Sequence, residues 1–197
     1  MKILAVEQIC DSTKNVLHNA CICACYPDSS LLRNNDDFYI PEFSSHIAAY
    51  AGVYVQISKI GKCVDAAFVY RYFSEMGVAV NFIAKDLFEK LQLEGLSTDI
   101  ARGFDKSFAV STQRFSFQKN VESCMLEIEH ANQNCLIPLT FIASILNKSI
   151  STLSSYYTLK IGDYVFIPLH EIPSVSIGDC IHISCNNRSV SLQCKIQ

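Results

Sequence analysis

Charge is scarce in this sequence: 18% of the residues are charged, the formal net charge is −3, and no basic block or arginine-rich run occurs. That argues against nucleic acid as the main partner, because binding a polyanion needs clustered Lys and Arg. Long hydrophobic runs are missing too. None approaches the ~18 residues that cross a bilayer, so no membrane segment is expected. Met1-Lys2-Ile3-Leu4-Ala5-Val6-Glu7 is a short apolar run closed by a carboxylate, which reads as a first strand and not as a signal peptide. There is no internal repeat, linker or low-complexity tract. What is present is core-forming material: half of the 197 residues are hydrophobic, which speaks against disorder. That length suits a single domain over 1–197, with N-terminal strands and a loop over 1–38 and the core over 39–197.

Ten cysteines are many for such a chain. Nothing looks secretory, so a reduced, cytoplasmic protein is the simplest expectation. Cys21, Cys23 and Cys25 alternate inside Ala20–Tyr26 and would share one face of a strand. A soft-metal site with His18 is one reading. Zinc sites usually show C-x-x-C spacing, however, and free Cys is among the most buried residue types. We therefore read the three as small apolar residues of a buried strand.

The remaining pattern is mixed, with many short strands. Residues 2–6 and 20–26 read as strands, and 10–19 as a loop or short helix. From Ala49 to Lys59 the sequence alternates strictly: Ala49, Ala51, Val53, Val55 and Ile57 face one side and Tyr50, Gly52, Tyr54 and Gln56 the other. Residues 64–75 read as a helix, 78–82 as a buried strand and 84–94 as an amphipathic helix stopped by Gly95. Past Ser111 the chain reads as mostly strand, interrupted by a helical segment over 139–157. The fold class expected is α+β, mostly β: a rolled sheet of mixed short strands with a few helices around one core.

Four segments carry a specific likeness. They are Pro27-Asp28-Ser29-Ser30, the alternating run 49–59, Gly77-Val-Ala-Val-Asn81-Phe-Ile-Ala-Lys85-Asp86-Leu87, and Ala101-Arg102-Gly103-Phe104-Asp105-Lys106-Ser107. In order and spacing they resemble the K-P-D-S-like opening, E-x-E metal strand, D-x-T-A-R-D-x-Q segment and A-K-x-F-D-x-S segment of the fumarylacetoacetate hydrolase (FAH) family. The likeness is to the fumarylacetoacetase C-terminal-like domain, of the bacterial 2-hydroxyhepta-2,4-diene-1,7-dioate isomerase and acylpyruvate hydrolase type. It extends to Gly162-Asp163 and Gly178-Asp179. The resemblance implies a β-roll, commonly a homodimer, and a Mg²⁺, Mn²⁺ or Ca²⁺ ion held by carboxylates. In such enzymes the ion chelates a 2-oxo acid or β-dicarbonyl substrate and stabilises the developing enolate.

The same resemblance puts Tyr50, Gly52 and Asn81 where the family has Glu, Glu and Asp. No Asp or Glu occurs between Glu42 and Asp65, so a shift of register supplies none. The family's opening Lys becomes Tyr26, its Arg becomes Lys85, its substrate-facing Gln becomes Phe88, and the Lys of A-K-x-F-D becomes Arg102. Asp86 is retained and reads as a helix-start carboxylate. The His-x-x-Glu pair of active relatives would fall near Thr13 and Val16. The Gly-Thr-Pro-rich loop is replaced by Ile167-Pro-Leu-His170-Glu171-Ile-Pro173, read here as a surface loop, with His170 and Glu171 as the alternative of a new site.

Two readings follow. In the first, the chain keeps the fold without a metal cofactor and without catalytic residues. It is then a pseudoenzyme that binds or interacts, as a homodimer or paired with a paralogue, with Lys85 and Arg102 forming an anion-binding pocket for a small carboxylate. In the second, it is a hydrolase, lyase or isomerase whose metal dependence is weak or relocated to carboxylates such as Asp28, Glu42 or Asp105.

Overall fold

A computed structural model of the chain describes residues 1–7, 22–117, 124–131, 133–185 and 190–197. Cys10, Thr13, Val16, His18 and Cys21 lie outside the described residues.

The described strands are β1 (Lys2–Glu7), β2 (Ile22–Pro27), β3 (Leu31–Leu32), β4 (Ile47–Gln56), β5 (Glu75–Ala84), β6 (Phe108–Val110), β7 (Phe115–Ser116), β8 (Met125–His130), β9 (Gln133–Pro138), β10 (Tyr164–Val175), β11 (Cys180–Cys185) and β12 (Val190–Lys195). The helices are α1 (Lys85–Leu93), α2 (Asp99–Arg102) and α3 (Ile142–Tyr156). Among the described residues β2-β1-β10-β4-β5-β6-β3 form one mixed sheet, with β7 on β5, and β12-β11-β8-β9 form a second, antiparallel one. The fold is thus α+β and mostly β. No described helix is long and apolar enough to cross a membrane.

The larger sheet is buried on both faces, which is why its central strands read as near-continuous apolar runs. On one face Ala49, Ala51, Val53, Val55 and Ile57 of β4 join Val78, Val80 and Phe82 of β5. These pack against Leu146, Ile150 and Leu153 of α3 and Leu126, Ile128 and Ile183 of the second sheet. Each Val, Leu, Ile or Phe among them, fully buried, contributes about 1.5–3 kcal/mol. On the other face a smaller cluster holds Ile3, Ala5, Tyr26, Tyr54, Ala79 and Phe166. The alternation of β4 thus separates two cores, and the smaller one opens at one end into the cavity described below.

Three local expectations are corrected. Residues 64–75 form no α-helix: a short 3-10 helix, Ala66–Arg71, is capped by Asp65, whose side chain accepts from the Ala67 N–H. The turn ends where the Tyr72 carbonyl accepts from the Ser58 N–H at 2.7 Å and the Ser58 hydroxyl at 3.1 Å, and β5 begins at Glu75. The segment 167–173 is not a loop; it continues β10 as far as Val175. Cys23 and Cys25 are not both buried, because β2 is an edge strand: Cys23 is half-buried and Cys25 exposed, while Ala24 and Tyr26 face the core.

Candidate functional site

Three strands and two helix ends meet at the cavity. In the antiparallel ladders Tyr50 of β4 stands opposite Asn81 of β5 on one side and Glu171 of β10 on the other. Directly opposed residues share a face, so all three side chains project the same way. β5 then passes without a loop into α1, whose first residue is Lys85. Phe88 lies on the same helical face as Lys85, three residues on. Arg102 closes α2.

The register of β10 decides which side chain of the His170-Glu171 pair stands beside Tyr50. Pro168 pairs with Gly52, but His170 pairs with Ala51 and Glu171 with Tyr50, so Leu169 is an extra, bulged residue. In a regular ladder His170 would oppose Tyr50; the bulge advances Glu171 to that place. Proline removes a ladder hydrogen bond and is tolerated in strands at edges and bulges. Pro168 is therefore the signal in the sequence for this bulge.

The cavity has a volume of about 340 Å³. Its polar lining is Tyr50, Asn81, Lys85, Arg102, His170 and Glu171, with Tyr26 behind Asn81. Its apolar walls include Val6, Ile83, Phe88, Phe166 and Leu169. Gly52 is absent from this lining. A Cβ there would lie 2.1 Å from the Ile167 carbonyl oxygen, so glycine at this position admits the backbone of β10 rather than enlarging the cavity. Asp28, Glu42 and Asp105 do not line the cavity either.

Most polar groups are already engaged. The Tyr26 hydroxyl donates to Asn81 Oδ1 at 3.1 Å, and Asn81 Nδ2 donates to the carbonyls of Arg102 (3.1 Å) and Ser107 (3.2 Å). The Asn81 amide thus ties the 102–107 turn to β5. Burial pushes the Tyr26 phenol well above its ordinary range. Arg102 Nη2 donates to Thr98 Oγ1 at 2.7 Å, and the guanidinium lies 5.3 Å from the Phe88 ring centroid, in cation–π range. Burial lowers the Arg102 pKa, yet a guanidinium stays charged in water-accessible protein.

The remaining polar cluster is Tyr50, Glu171 and Lys85. Lys85 Nζ donates to Glu171 Oε1 at 3.4 Å, with the two side chains 26% and 44% exposed. A pair that exposed contributes at most about 1 kcal/mol. The Tyr50 pKa is pushed up to about 12, first by burial, then by its hydrogen bond to Glu171 and by that carboxylate's charge. The phenol is therefore neutral throughout the physiological range.

These donors do not fit a hard divalent cation, which takes six or more oxygens with charge supplied by several carboxylates. Among the described residues Glu171 is the one carboxylate of the lining, and it already faces an ammonium and a phenol. The Asn81 oxygen is turned to Tyr26. No group of three or more His, Cys, Asp or Glu able to hold a metal occurs among the described residues. Chemically the arrangement offers the Lys85 ammonium, paired with Glu171, beside an apolar chamber.

No protein-family model and no curated protein sequence matches the chain. Solved structures do. Fumarylpyruvate hydrolase from Pseudomonas aeruginosa, in complex with Mn²⁺ and pyruvate, superposes with a TM-score of 0.83 at 14% identity over 100% of this chain and 89% of that one. A putative fumarylacetoacetate hydrolase family protein from Yersinia pestis CO92 gives 0.85 at 18% identity, covering 100% and 93%. For 2-hydroxyhepta-2,4-diene-1,7-dioate isomerase from Mycobacterium marinum the values are 0.76 and 17%, covering 99% and 73%. At these identities the likeness establishes the fold, and that fold is the one these proteins share.

Proposed function

We propose that the chain is a metal-independent binding protein on the fumarylacetoacetate hydrolase fold, whose cavity takes a small carboxylate at Lys85. The observation that carries this reading is the cluster in which Lys85 donates to Glu171 while Tyr50 stands opposite Glu171 in the ladder. A phenol stands where the resemblance expects a carboxylate ligand, and an ammonium where it expects an arginine. The Pseudomonas aeruginosa structure holds Mn²⁺ together with pyruvate. An acid entering this cavity would meet the Lys85 ammonium in place of a metal, through a charge-assisted hydrogen bond. Arg102 adds a second positive group to the wall. We further read the chain as cytoplasmic and as a homodimer or a partner of a paralogue. Exposed Leu93, Leu96 and Ile100 around α1 and α2 support an assembly surface, which sedimentation velocity tests.

Elemental analysis of purified protein, followed by calorimetric titration with MgCl₂, MnCl₂ and pyruvate, tests the function. We expect no stoichiometric metal, no metal binding in the millimolar range, and saturable pyruvate binding that Lys85→Met abolishes. Stoichiometric metal with micromolar affinity would sink the reading. Glu171, a carboxylate inside the cavity, would then be the first candidate ligand, and oxaloacetate- and acylpyruvate-type substrates would be assayed for hydrolase, lyase or isomerase activity.

A further inference from the structure

The cavity carries information about the rest of the ligand, provided that Lys85 is its carboxylate anchor. The polar cluster is compact: Lys85 donates to Glu171, and Tyr50 faces Glu171 across the β4–β10 ladder. Asn81 and Tyr26 are occupied with each other and with backbone carbonyls. The Arg102 guanidinium is committed to Thr98 and the face of Phe88. Lys85 has three protons to donate and gives one to Glu171, so its ammonium is where an incoming carboxylate finds donors. Away from that cluster the walls, among the described residues, are chiefly Val6, Ile83, Phe88, Phe166 and Leu169, with His170 next to the bulge. A second carboxylate on the ligand would lie against these side chains without a partner, approach Glu171, which repels it, or have to disturb the Thr98 and Phe88 contacts of Arg102 to be met there. Each costs affinity. With about 340 Å³ the cavity lies at the small end of ligand pockets.

We infer that the site selects an acid with one carboxylate and an apolar tail: the head shares Lys85 with Glu171, and the tail lies along Phe88, Phe166 and Leu169. Glu171 is then a specificity-determining residue that discriminates against dicarboxylates.

The test is calorimetric titration of the full chain at neutral pH and low salt with acetate, butyrate, hexanoate and adipate, and with pyruvate as the reference acid. Affinity should rise from acetate to hexanoate by up to about fourfold per methylene, the transfer value for a buried CH₂. Hexanoate should bind about tenfold or more tightly than adipate, since a like charge near a partly exposed carboxylate is only partly screened. In Glu171→Gln adipate should gain and the gap narrow. In Phe88→Ala hexanoate should weaken while pyruvate does not. Thermal unfolding of each variant establishes that it is folded. Wild-type preference for adipate, equal affinity along the series, or no gain for adipate in Glu171→Gln would overturn the inference. If pyruvate still binds through Lys85, the carboxylate-binding reading survives that failure. If no acid binds at all, both fall together.

Discussion

Tyr50 and Asn81 face each other across the β4–β5 ladder, and both side chains enter the same cavity. The resemblance places both among the positions of metal-binding carboxylates, yet neither behaves as a vacant ligand. Tyr50 faces Glu171 across the β4–β10 ladder, and Asn81 gives its amide protons to the backbone of the 102–107 turn.

Replacing Asn81 with the carboxylate that the resemblance expects should therefore damage the protein rather than restore a ligand. The carbonyls of Arg102 and Ser107 accept from Asn81 Nδ2, which an Asp oxygen cannot supply, and the residue is 2% exposed. Asn81→Asp should cost about 3 kcal/mol at neutral pH, the scale for a buried, poorly partnered charge. Burial would raise the new carboxyl's pKa, so the deficit should shrink as the pH falls toward about 4. Urea unfolding at several pH values checks both statements, and full stability at pH 7 would refute them.

Gly52 makes a sharper case. A Cβ would sit 2.1 Å from the Ile167 oxygen and 3.0 Å from Pro168 Cα, both parts of the β10 backbone. Neither atom can swing aside without disturbing a central strand pair. Gly52→Ala should cost about 3 kcal/mol, at the upper end for overpacking, and a larger side chain such as Glu should prevent folding. Denaturant midpoints of the alanine variant decide it; a change below about 0.5 kcal/mol, the range of an ordinary surface substitution, would show that β10 yields.

The phenols set the alkaline limit. Burial, then Glu171, holds the folded Tyr50 pKa at about 12, above the ordinary value of 10.0. Between those values the folded state keeps a proton that the unfolded chain releases. The contribution is therefore complete below pH 10.0 and fades as the pH rises toward about 12. Burial raises Tyr26 and Tyr54 in the same direction. Tyr50→Phe should leave neutral stability within about 1 kcal/mol, the worth of one hydrogen bond, and flatten the alkaline decline. Phenolate absorbance during a pH titration should lose one late-titrating component; an unchanged curve would contradict the assignment.

How much of this was legible in the sequence depends on range. The strict alternation of 49–57 gave β4 and its two faces, because a period of two is a local property. Gly95, in the left-handed region at φ 67°, ended α1 as expected. The composition of 64–75 suggested a helix, but Ser58, fourteen residues away in sequence, takes the Tyr72 carbonyl and cuts the turn short. Of the site, the resemblance named Tyr50, Asn81, Lys85 and Arg102, which the structure brings to one cavity, and Gly52, which it does not. Glu171 was read with a surface loop. Its position follows from a one-residue bulge in β10, and ladder register is a property of two strands together.

Asp86 lies beside the site and fastens its floor. Oδ1 accepts from the Ser44 hydroxyl (2.6 Å) and the Leu87 N–H (2.8 Å); Oδ2 accepts from the Ser45 N–H (2.8 Å) and hydroxyl (2.9 Å). Desolvation opposes ionisation, but these four donors outweigh it and hold the carboxyl well below the usual carboxylate range. They join the 44–45 turn to the start of α1, one residue from Lys85. Asp86→Ala should therefore cost about 1–2 kcal/mol at neutral pH, as loss of a capping carboxylate does. Because the folded pKa is depressed, this contribution is present above about pH 4 and is lost only as the pH falls through the folded value. The wild type should accordingly lose its advantage over Asp86→Ala on acidification below about pH 4, and the two unfolding midpoints should converge. Asp86→Asn, which keeps one acceptor oxygen, should fall between them. A difference between wild type and Asp86→Ala that stays constant down to the acid limit would mean that packing, and not the charged hydrogen bonds, holds this turn against α1.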